Sequence, residues 1–357
     1  MFVAQRSTHI NGTTCRLRPS FGSHWMRSLF LLAEHDASFE TRGFAAANPT
    51  VRQRLERIGE TFINGFNCGL MDDQENAWCR CCATVQSELR GFAVEGIAMG
   101  VAVADALTFG TRLARWMAQS EAKYTYLTHV GAGWALARVP WRRATICRSL
   151  DPIHSWLVYD GLGFHDAYFH PRRVLANWRR IRRGYAARAY EQGVGRALWF
   201  VSGGDPSRAT LFVLAQAPGR RRDLWSGIGL ALAYAGGASK SGLAEILEAA
   251  GPLRSYLAQG AAFASEACSR AGHTPCHTAQ AVKILTGVDH EDAAHLVRSQ
   301  RPSHALDSCD PFPPYELWRA RVRHSLQRRA ETHSSKAEVD HQNVFHRNAS
   351  RAVGQPR

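Results

Sequence analysis

Lysine is almost absent from this chain, although the chain is strongly basic. Only four of its 44 Lys and Arg residues are lysine, so arginine carries nearly all of the formal net charge of +14. Much of the arginine is dispersed, and no helix-turn-helix, zinc-finger or RNA-recognition signature accompanies it. The charge is therefore interpreted as solvated faces or a docking surface, and we expect no nucleic-acid partner.

Strand and targeting signals are also scarce. Alternating β-branched runs bounded by turn residues are nearly missing, and proline is sparse in the central part of the chain, which favours helices. No secretory signal is recognised, and the apolar run from Leu29 to Ala33 is too short to span a membrane. The sequence predicts an all-α protein of the cytoplasm.

Recognisable catalytic and metal-binding motifs are missing as well. Cys79, Cys81 and Cys82 cluster together, but no second ligand pair follows at zinc-finger spacing. The chain has no phosphate-binding loop, no nucleophile elbow and no glycine-rich dinucleotide motif that follows a strand. No metal-ligating residues are assigned and the presence of a metal is left open; the cofactor is unknown, and the cysteine cluster has no assigned role.

What the chain does contain is a glycine signature that occurs seven times, in the form polar or apolar residue, Gly, any residue, small residue. The first glycines lie 30 to 35 residues apart, at Gly65, Gly96, Gly131, Gly161, Gly193, Gly227 and Gly260. A period of this length is typical of helical-hairpin arrays. Glycine inside a helix costs about 1 kcal/mol relative to alanine. Its regular return therefore predicts that neighbouring helix backbones approach closely.

The predicted fold is an all-α array of helical-hairpin repeats, an α-solenoid or a toroid-like arrangement. We expect a loose leader over residues 1–24, a helical repeat domain over 25–300, a linker and basic C-terminal helix over 301–329, and a disordered tail over 330–357. The polar, cysteine-rich stretch from Met71 to Thr84 is expected to connect two helices.

Polar residues accompany the glycines in otherwise apolar helices. They are Asn64, Glu95, His129, Asp160, Glu191, Gln192, Ser226 and Gln259. Two interpretations fit them. Stacked repeats place such positions on one concave surface, where they form the floor of a binding groove. Alternatively, they form hydrogen bonds between helices and hold the repeats in register.

The binding interpretation assigns roles to individual residues. Histidine beside a carboxylate can be tuned to transfer protons near neutral pH, so the candidate catalytic residues are Glu95, His129, Asp160 and His165. Tryptophans beside the repeats either line an apolar pocket or belong to the core. The candidate ligand-binding residues are Asn64, Glu191, Gln192, Trp225, Ser226 and Gln259.

Six stretches together resemble a known bacterial family. They are Glu88 to Gly96, His129 to Arg138, Asp160 to His165, Gln192 to Phe200, Asp223 to Ala231, and Leu257 to Ala264. This combination is similar to the UnbL family, whose members have no established reaction and are encoded beside enediyne polyketide synthases. The resemblance implies an accessory role in making an enediyne or polyene-derived product, with a polyketide-derived intermediate or biosynthetic proteins as partners. It transfers no catalytic residue.

A non-catalytic role is the alternative, and the sequence leaves open whether the protein is an enzyme. Helical repeats often present extended binding surfaces. Arg172–Arg183 and Arg319–Arg329 are the strongest basic stretches beside the repeats. In this hypothesis the protein is a scaffold that docks partner proteins or makes peripheral contact with a membrane.

Overall fold

The computed structural model describes residues 21–45, 48–119, 122–148, 150–302 and 312–329, and these residues form helices with no β-strand. The α-helices are α1 (Phe21–Ser28), α2 (Phe39–Arg42), α3 (Pro49–Met71), α4 (Glu75–Ala83), α5 (Arg90–Thr108), α6 (Arg112–Gln119), α7 (Thr125–Arg138), α8 (Arg143–Arg148), α9 (Leu157–Phe169), α10 (Pro171–Leu175), α11 (Gly184–Val201), α12 (Pro206–Leu214), α13 (Pro218–Tyr234), α14 (Lys240–Ala250), α15 (Arg254–Ala271), α16 (Cys276–Thr286), α17 (His290–Ser299) and α18 (residues 314–329). Short 3₁₀ segments cover Glu34–Ala37, Ala122–Tyr124, Pro140–Arg142, His154–Trp156 and Gly251–Leu253.

Seven helices, which we call the inner helices, each carry one glycine signature. They are α3, α5, α7, α9, α11, α13 and α15, and each packs extensively against the next one in the chain. Shorter helices lie between them in sequence, and α12, α14 and α16 pack against one another as a second layer. The predicted all-α array of helical repeats is confirmed.

The glycines lie where the inner helices touch. In α9, a Cβ added at Gly161 would overlap the Val130 carbonyl oxygen of α7, and one added at Gly163 would overlap the Tyr190 carbonyl oxygen of α11. From α7 to α13, the first glycine of each signature faces the preceding inner helix and the second faces the following one. The prediction of close backbone approach is confirmed, because a side chain at these positions would force the helices apart.

Helix starts follow local sequence signals. The side chain of Asn48 accepts a hydrogen bond from the Thr50 amide at 2.8 Å, and Pro49 occupies the first position of α3. Asp205 caps α12 in the same way, with the Arg208 amide at 2.9 Å and Pro206 next in the chain. Such caps satisfy amides that have no partner within the helix, and proline fits the first turn without losing a hydrogen bond.

The beginning of the array also contacts its later helices. Arg54 of α3 donates a hydrogen bond from Nε to the Ala235 carbonyl oxygen at 2.6 Å, just beyond the end of α13. The rings of Phe92 in α5 and Tyr234 in α13 are 5.1 Å apart. Helices that are distant in sequence therefore face one another and enclose the interior.

Helix α18 belongs to the core. Trp318 donates a hydrogen bond to the Val297 carbonyl oxygen at 2.7 Å and packs 4.9 Å from the Phe263 ring. Arg319 is completely buried and lies 3.0 Å from Asp223 and 3.3 Å from Glu316. Part of the basic stretch Arg319–Arg329 therefore stabilises the interior instead of forming a free surface.

Two boundaries differ from the sequence prediction. The segment expected to connect helices, Met71 to Thr84, contains α4, whose Ala77 and Trp78 are buried. Helical structure begins at Phe21, inside the segment predicted as a loose leader. Residues 1–20 and the predicted disordered tail, 330–357, lie outside the described residues.

Helix α5 is unusually apolar. Among the described helices, it alone is long and apolar enough to cross a membrane, and 89% of its apolar window is buried inside the protein. It packs between α3 and α7. Its hydrophobicity is explained by its burial between these neighbours.

Candidate functional site

An interior cavity lies where the inner helices α3 to α13 face one another. It holds about 640 Å³ of space that protein atoms do not fill, part of which is open to solvent. Eight aromatic residues line its wall: Phe62, Phe92, Trp134, Phe164, Tyr168, Phe169, Phe200 and Tyr234. The cavity wall is thus mainly apolar, as the walls of ligand pockets commonly are.

The aromatic rings of the wall form a continuous series. Phe62 lies 4.5 Å from Trp134, Trp134 lies 4.9 Å from Phe164, and Phe164 lies 5.4 Å from Phe200, measured between ring centroids. These rings come from α3, α7, α9 and α11. Flat aromatic surfaces from several helices can accommodate a flat, unsaturated molecule.

Three charged side chains from three inner helices meet in this interior: Glu95 of α5, Asp160 of α9 and Arg196 of α11. All are at most 5% exposed. The Arg196 guanidinium lies 2.5 Å from Asp160 Oδ1 and 3.6 Å from Glu95 Oε1. Burial alone would lower the pKa of Arg196, but the charges of Asp160 and Glu95 outweigh this effect and raise it. Arg196 is therefore a fixed cation.

Glu95 differs from Asp160 in its surroundings. Its Oε1 accepts a hydrogen bond from Trp134 Nε1 at 2.9 Å, whereas no described residue provides a hydrogen-bond partner for its Oε2. Burial raises the pKa of Glu95 against the opposing effects of Arg196 and Trp134. One guanidinium can balance only one carboxylate, and Asp160 holds the shorter contact. Burial in an apolar wall therefore favours the neutral form of Glu95, and its Oε2 has no described hydrogen-bond partner there.

The residues beside the glycines form a hydrogen-bonded ladder across α9, α11, α13 and α15. Gln192 donates to Asp160 at 2.8 Å, and Ser226 donates to Gln192 at 3.1 Å. Ser226 Oγ also lies 3.4 Å from Gln259, which accepts a hydrogen bond from Arg319 at 3.2 Å. Gln192, Ser226 and Gln259 are thereby occupied in joining helices, and the geometry favours the register-holding interpretation for them.

The two candidate catalytic histidines lie outside the charged trio. His129 Nδ1 is 2.6 Å from the Thr125 carbonyl oxygen, and its Nε2 accepts a hydrogen bond from the Asp151 amide at 3.3 Å. Burial and the neighbouring His154 lower the pKa of His129 to about 3. Both of its ring nitrogens are occupied, and the ring is neutral. This arrangement gives His129 a structural role.

His165 belongs to a separate cluster. Its Nδ1 lies 3.4 Å from Asp166 Oδ1, and burial lowers the pKa of His165. Arg180 and Tyr190 also donate to the Asp166 carboxylate, at 2.9 to 3.0 Å and at 2.9 Å. The His165 ring packs against Trp134, 5.8 Å between centroids, so it supports the cavity wall from behind.

The remaining sequence candidates are dispersed. Asn64 is exposed on α3. Glu191 forms a buried two-point contact with Arg220, at 2.9 and 2.8 Å. Trp225 is only 1% exposed and packs in the core. None of these three lines the cavity.

Sequence reasoning missed Arg196 and Tyr234, although a signal for Arg196 exists. The residues that follow the second glycine in four consecutive signatures are Trp134, Phe164, Arg196 and Leu230, and all four line the cavity. Arg196 is the only charged residue in that series. A single arginine in an otherwise apolar series of positions predicts that buried carboxylates lie close to it and balance its charge.

The described part of the chain contains no metal-binding cluster. No group of three or more His, Cys, Asp or Glu side chains there has an arrangement that could hold a metal ion. Within the cysteine cluster on α4, Cys79 is exposed, whereas Cys81 and Cys82 are partly buried. These cysteines lie away from the cavity wall.

A family model described as protein of unknown function (DUF1702) matches residues 23–326 of the chain. No curated protein and no solved structure matches it.

Proposed function

Because the chain belongs to the DUF1702 family, whose description names no activity, we propose a function from the structure of its interior. The protein binds a long unsaturated molecule in the cavity and presents Glu95 to it as an acid. The observation that carries the proposal is the Glu95 Oε2, which is buried in an aromatic wall without a described partner. A buried polar group without a partner is energetically unfavourable. A ligand that accepts its hydrogen bond would remove that penalty.

The chemistry available to a neutral carboxylic acid beside a conjugated chain is proton transfer. Transfer of the Glu95 proton to a chain carbon forms a C–H bond and leaves a delocalised cation on the chain. Loss of a proton from another chain carbon to Glu95 restores the acid and shifts the double bonds, so no oxidant or reductant is needed. Arg196 stabilises the transient Glu95 carboxylate, and aromatic faces such as that of Trp134 stabilise the cation.

The biological setting follows from the resemblance to the UnbL family. We propose that the ligand is a polyene intermediate of enediyne or related polyketide biosynthesis, handled by this protein as an accessory factor. We place this role in the cytoplasm. All seven cysteines among the described residues are free thiols, which is typical of a reducing compartment.

The proposal is tested with cis-parinaric acid, a fluorescent linear polyene. Wild-type protein should bind it with quenching of tryptophan fluorescence and should slowly change its polyene absorption as double bonds shift. Glu95→Gln keeps the shape of the side chain, so binding should remain while the absorption change disappears. Glu191→Gln is the matched control, since Glu191 is also buried and has a raised pKa but lies outside the cavity.

Each result has a distinct meaning. Absence of binding to the wild-type protein contradicts the proposed function. Binding with an absorption change that is equally fast in Glu95→Gln contradicts the acid role of Glu95 and leaves the binding role intact.

The alternative function, a docking scaffold, is favoured by one specific observation. Arg172, Arg173, Arg182 and Arg183 are exposed near the end of α9 and the start of α11. Replacing Arg172 and Arg173 by Glu should then abolish low-salt flotation with phosphatidylglycerol vesicles, because exposed charges attract anionic surfaces. Arg321→Glu, at another exposed arginine, is the control. Equal flotation of all three proteins would contradict the scaffold hypothesis for membranes.

A further inference from the structure

A second interior cavity adjoins the first. It holds about 430 Å³ of space that protein atoms do not fill, part of which is open to solvent. Its wall includes Tyr126, Leu127, Asp160, Phe263, Ala267 and Tyr315, from helices α7, α9, α15 and α18. Its wall, like that of the first cavity, is mainly apolar, with a few polar groups.

The two cavities share part of their walls. Arg196, Leu230 and Tyr234 line both of them. Leu230 and Tyr234 are four residues apart on α13 and therefore lie on the same helix face. The Tyr234 hydroxyl points at Gly91 of α5, where an added Cβ would overlap it. These three residues therefore lie between the two cavities.

The second cavity has its own unpartnered polar group. Tyr126 is 7% exposed, and no described residue provides a hydrogen-bond partner for its hydroxyl. Its ring packs 5.3 Å from His154 and 6.5 Å from Phe263, so its position is fixed by neighbours. Burial raises the pKa of Tyr126, so the hydroxyl is neutral and can donate.

We propose that the two cavities form one elongated site, in which a linear unsaturated chain passes Arg196 and places a terminal carbonyl oxygen against the Tyr126 hydroxyl. The inference rests on the proposed chain-binding function and adds the shape and the end group of the ligand. Side-chain rotation of Leu230 joins the cavities. The two unpartnered groups then have separate tasks: Glu95 meets the middle of the chain, and Tyr126 holds its end.

The experiment compares a short and a long unsaturated acid, sorbic acid and cis-parinaric acid, on the full-length protein. Ala267→Phe fills the second cavity from its wall. It should weaken binding of the long acid at least tenfold and leave binding of sorbic acid unchanged. Leu211→Phe, at a site 65% exposed on α12, is the control and should change neither.

Tyr126→Phe removes only the hydroxyl. Because that group has no described partner, the melting temperature should not fall, which separates ligand binding from a structural role. Affinity for cis-parinaric acid should fall about threefold to tenfold, the usual value of one hydrogen bond. The methyl ester retains the carbonyl oxygen but no charge. An equal loss for the ester indicates carbonyl recognition, whereas a loss confined to the acid contradicts that part of the proposal.

The outcomes separate the two proposals. If neither acid binds the wild-type protein, the chain-binding function fails and the elongated site fails with it. If both acids bind and Ala267→Phe affects neither, the first cavity alone binds the ligand and the elongated site is wrong. If Ala267→Phe weakens binding of both acids equally, the two cavities do not divide a long chain between them, and the elongated site is again wrong. If Ala267→Phe does not fold, Tyr126→Phe decides: unchanged affinity for cis-parinaric acid overturns the inference.

Discussion

Replacing Gly161 by alanine tests the packing principle of the whole array. The new Cβ would overlap the Val130 carbonyl oxygen of α7, and the next nearest atom outside that residue is the Gly133 Cα. Both neighbours are backbone, so no side chain can rotate away and the helices must separate. Overpacking of this kind costs about 1–3 kcal/mol. Asp160, the preceding residue, would move with the helix and strain its contacts with Gln192 and Arg196.

Gly219 provides a matched control in α13. It is exposed, and an added Cβ there would meet no atom within 4 Å. Gly219→Ala should therefore be neutral or gain up to about 1 kcal/mol from helix propensity. The two alanine variants should differ by about 1–4 kcal/mol in the free energy of unfolding, which combines the two effects. Guanidinium unfolding followed by circular dichroism measures this difference. Equal stability of the two variants would refute close packing at the signatures.

Other predictions address the buried charges. Arg319→Met should destabilise the protein by about 3 kcal/mol, because it removes the most deeply buried cation of the cluster and leaves Asp223 and Glu316 with less buried cations such as Arg188 and Arg323. Arg321→Met, on the exposed side of α18, should change the free energy of unfolding by less than about 0.5 kcal/mol. The pKa of His129 is about 3 in the folded protein against an ordinary value of 6.5, so the unfolded chain binds the proton first as pH falls. As pH falls from 6.5 to about 3, protonation of His129 in the unfolded chain should therefore lower the free energy of unfolding by about 1.4 kcal/mol per pH unit. A His129→Gln variant should lack this contribution, and an unchanged slope in the variant would contradict the buried neutral state of His129. Trp134→Phe removes the hydrogen bond to Glu95 and should raise the pKa of that carboxyl further, which carboxyl-resolved NMR titration can measure.

The glycine repeats made the fold predictable from sequence because their cause is local and repeated. From α7 to α13, each signature gives two contacts, one with each neighbouring inner helix, as Gly161 and Gly163 show on the two sides of α9. The period of the repeat then gives the number and order of the inner helices. The α4 helix was missed because its polar, cysteine-rich sequence has only a short buried face, at Ala77 and Trp78.

The candidate site was predictable only in part. Glu95 and Asp160 were identified because they are carboxylates beside glycines in apolar helices. Their meeting point was not, since it depends on Arg196, which reaches both from another helix across the interior. His129 occupies a similar sequence position to Glu95, but its ring points to the Thr125 and Asp151 backbone. The direction of each side chain depends on how its helix is rotated about its own axis. The glycine pattern does not specify that rotation to within one residue.

The same limit applies to the arginines. Arg172 and Arg319 look alike as members of basic stretches, yet Arg172 is exposed and Arg319 is completely buried. The difference comes from partners that are remote in sequence, since Asp223 lies on α13 and Arg319 on α18. Charge runs therefore identify a docking surface only after the burial of each residue is known.

The central claim, a neutral Glu95 that meets a ligand in the interior cavity, is tested most directly by infrared difference spectroscopy. Wild-type protein at neutral pH should show a carboxylic-acid C=O band that is absent from Glu95→Gln, and this band should shift when cis-parinaric acid saturates the protein. Subtracting the Glu95→Gln spectra, with and without ligand, removes the bands of the ligand and of other buried carboxyl groups such as Glu191. Absence of the band, or a band that the bound ligand leaves unchanged, would contradict the account.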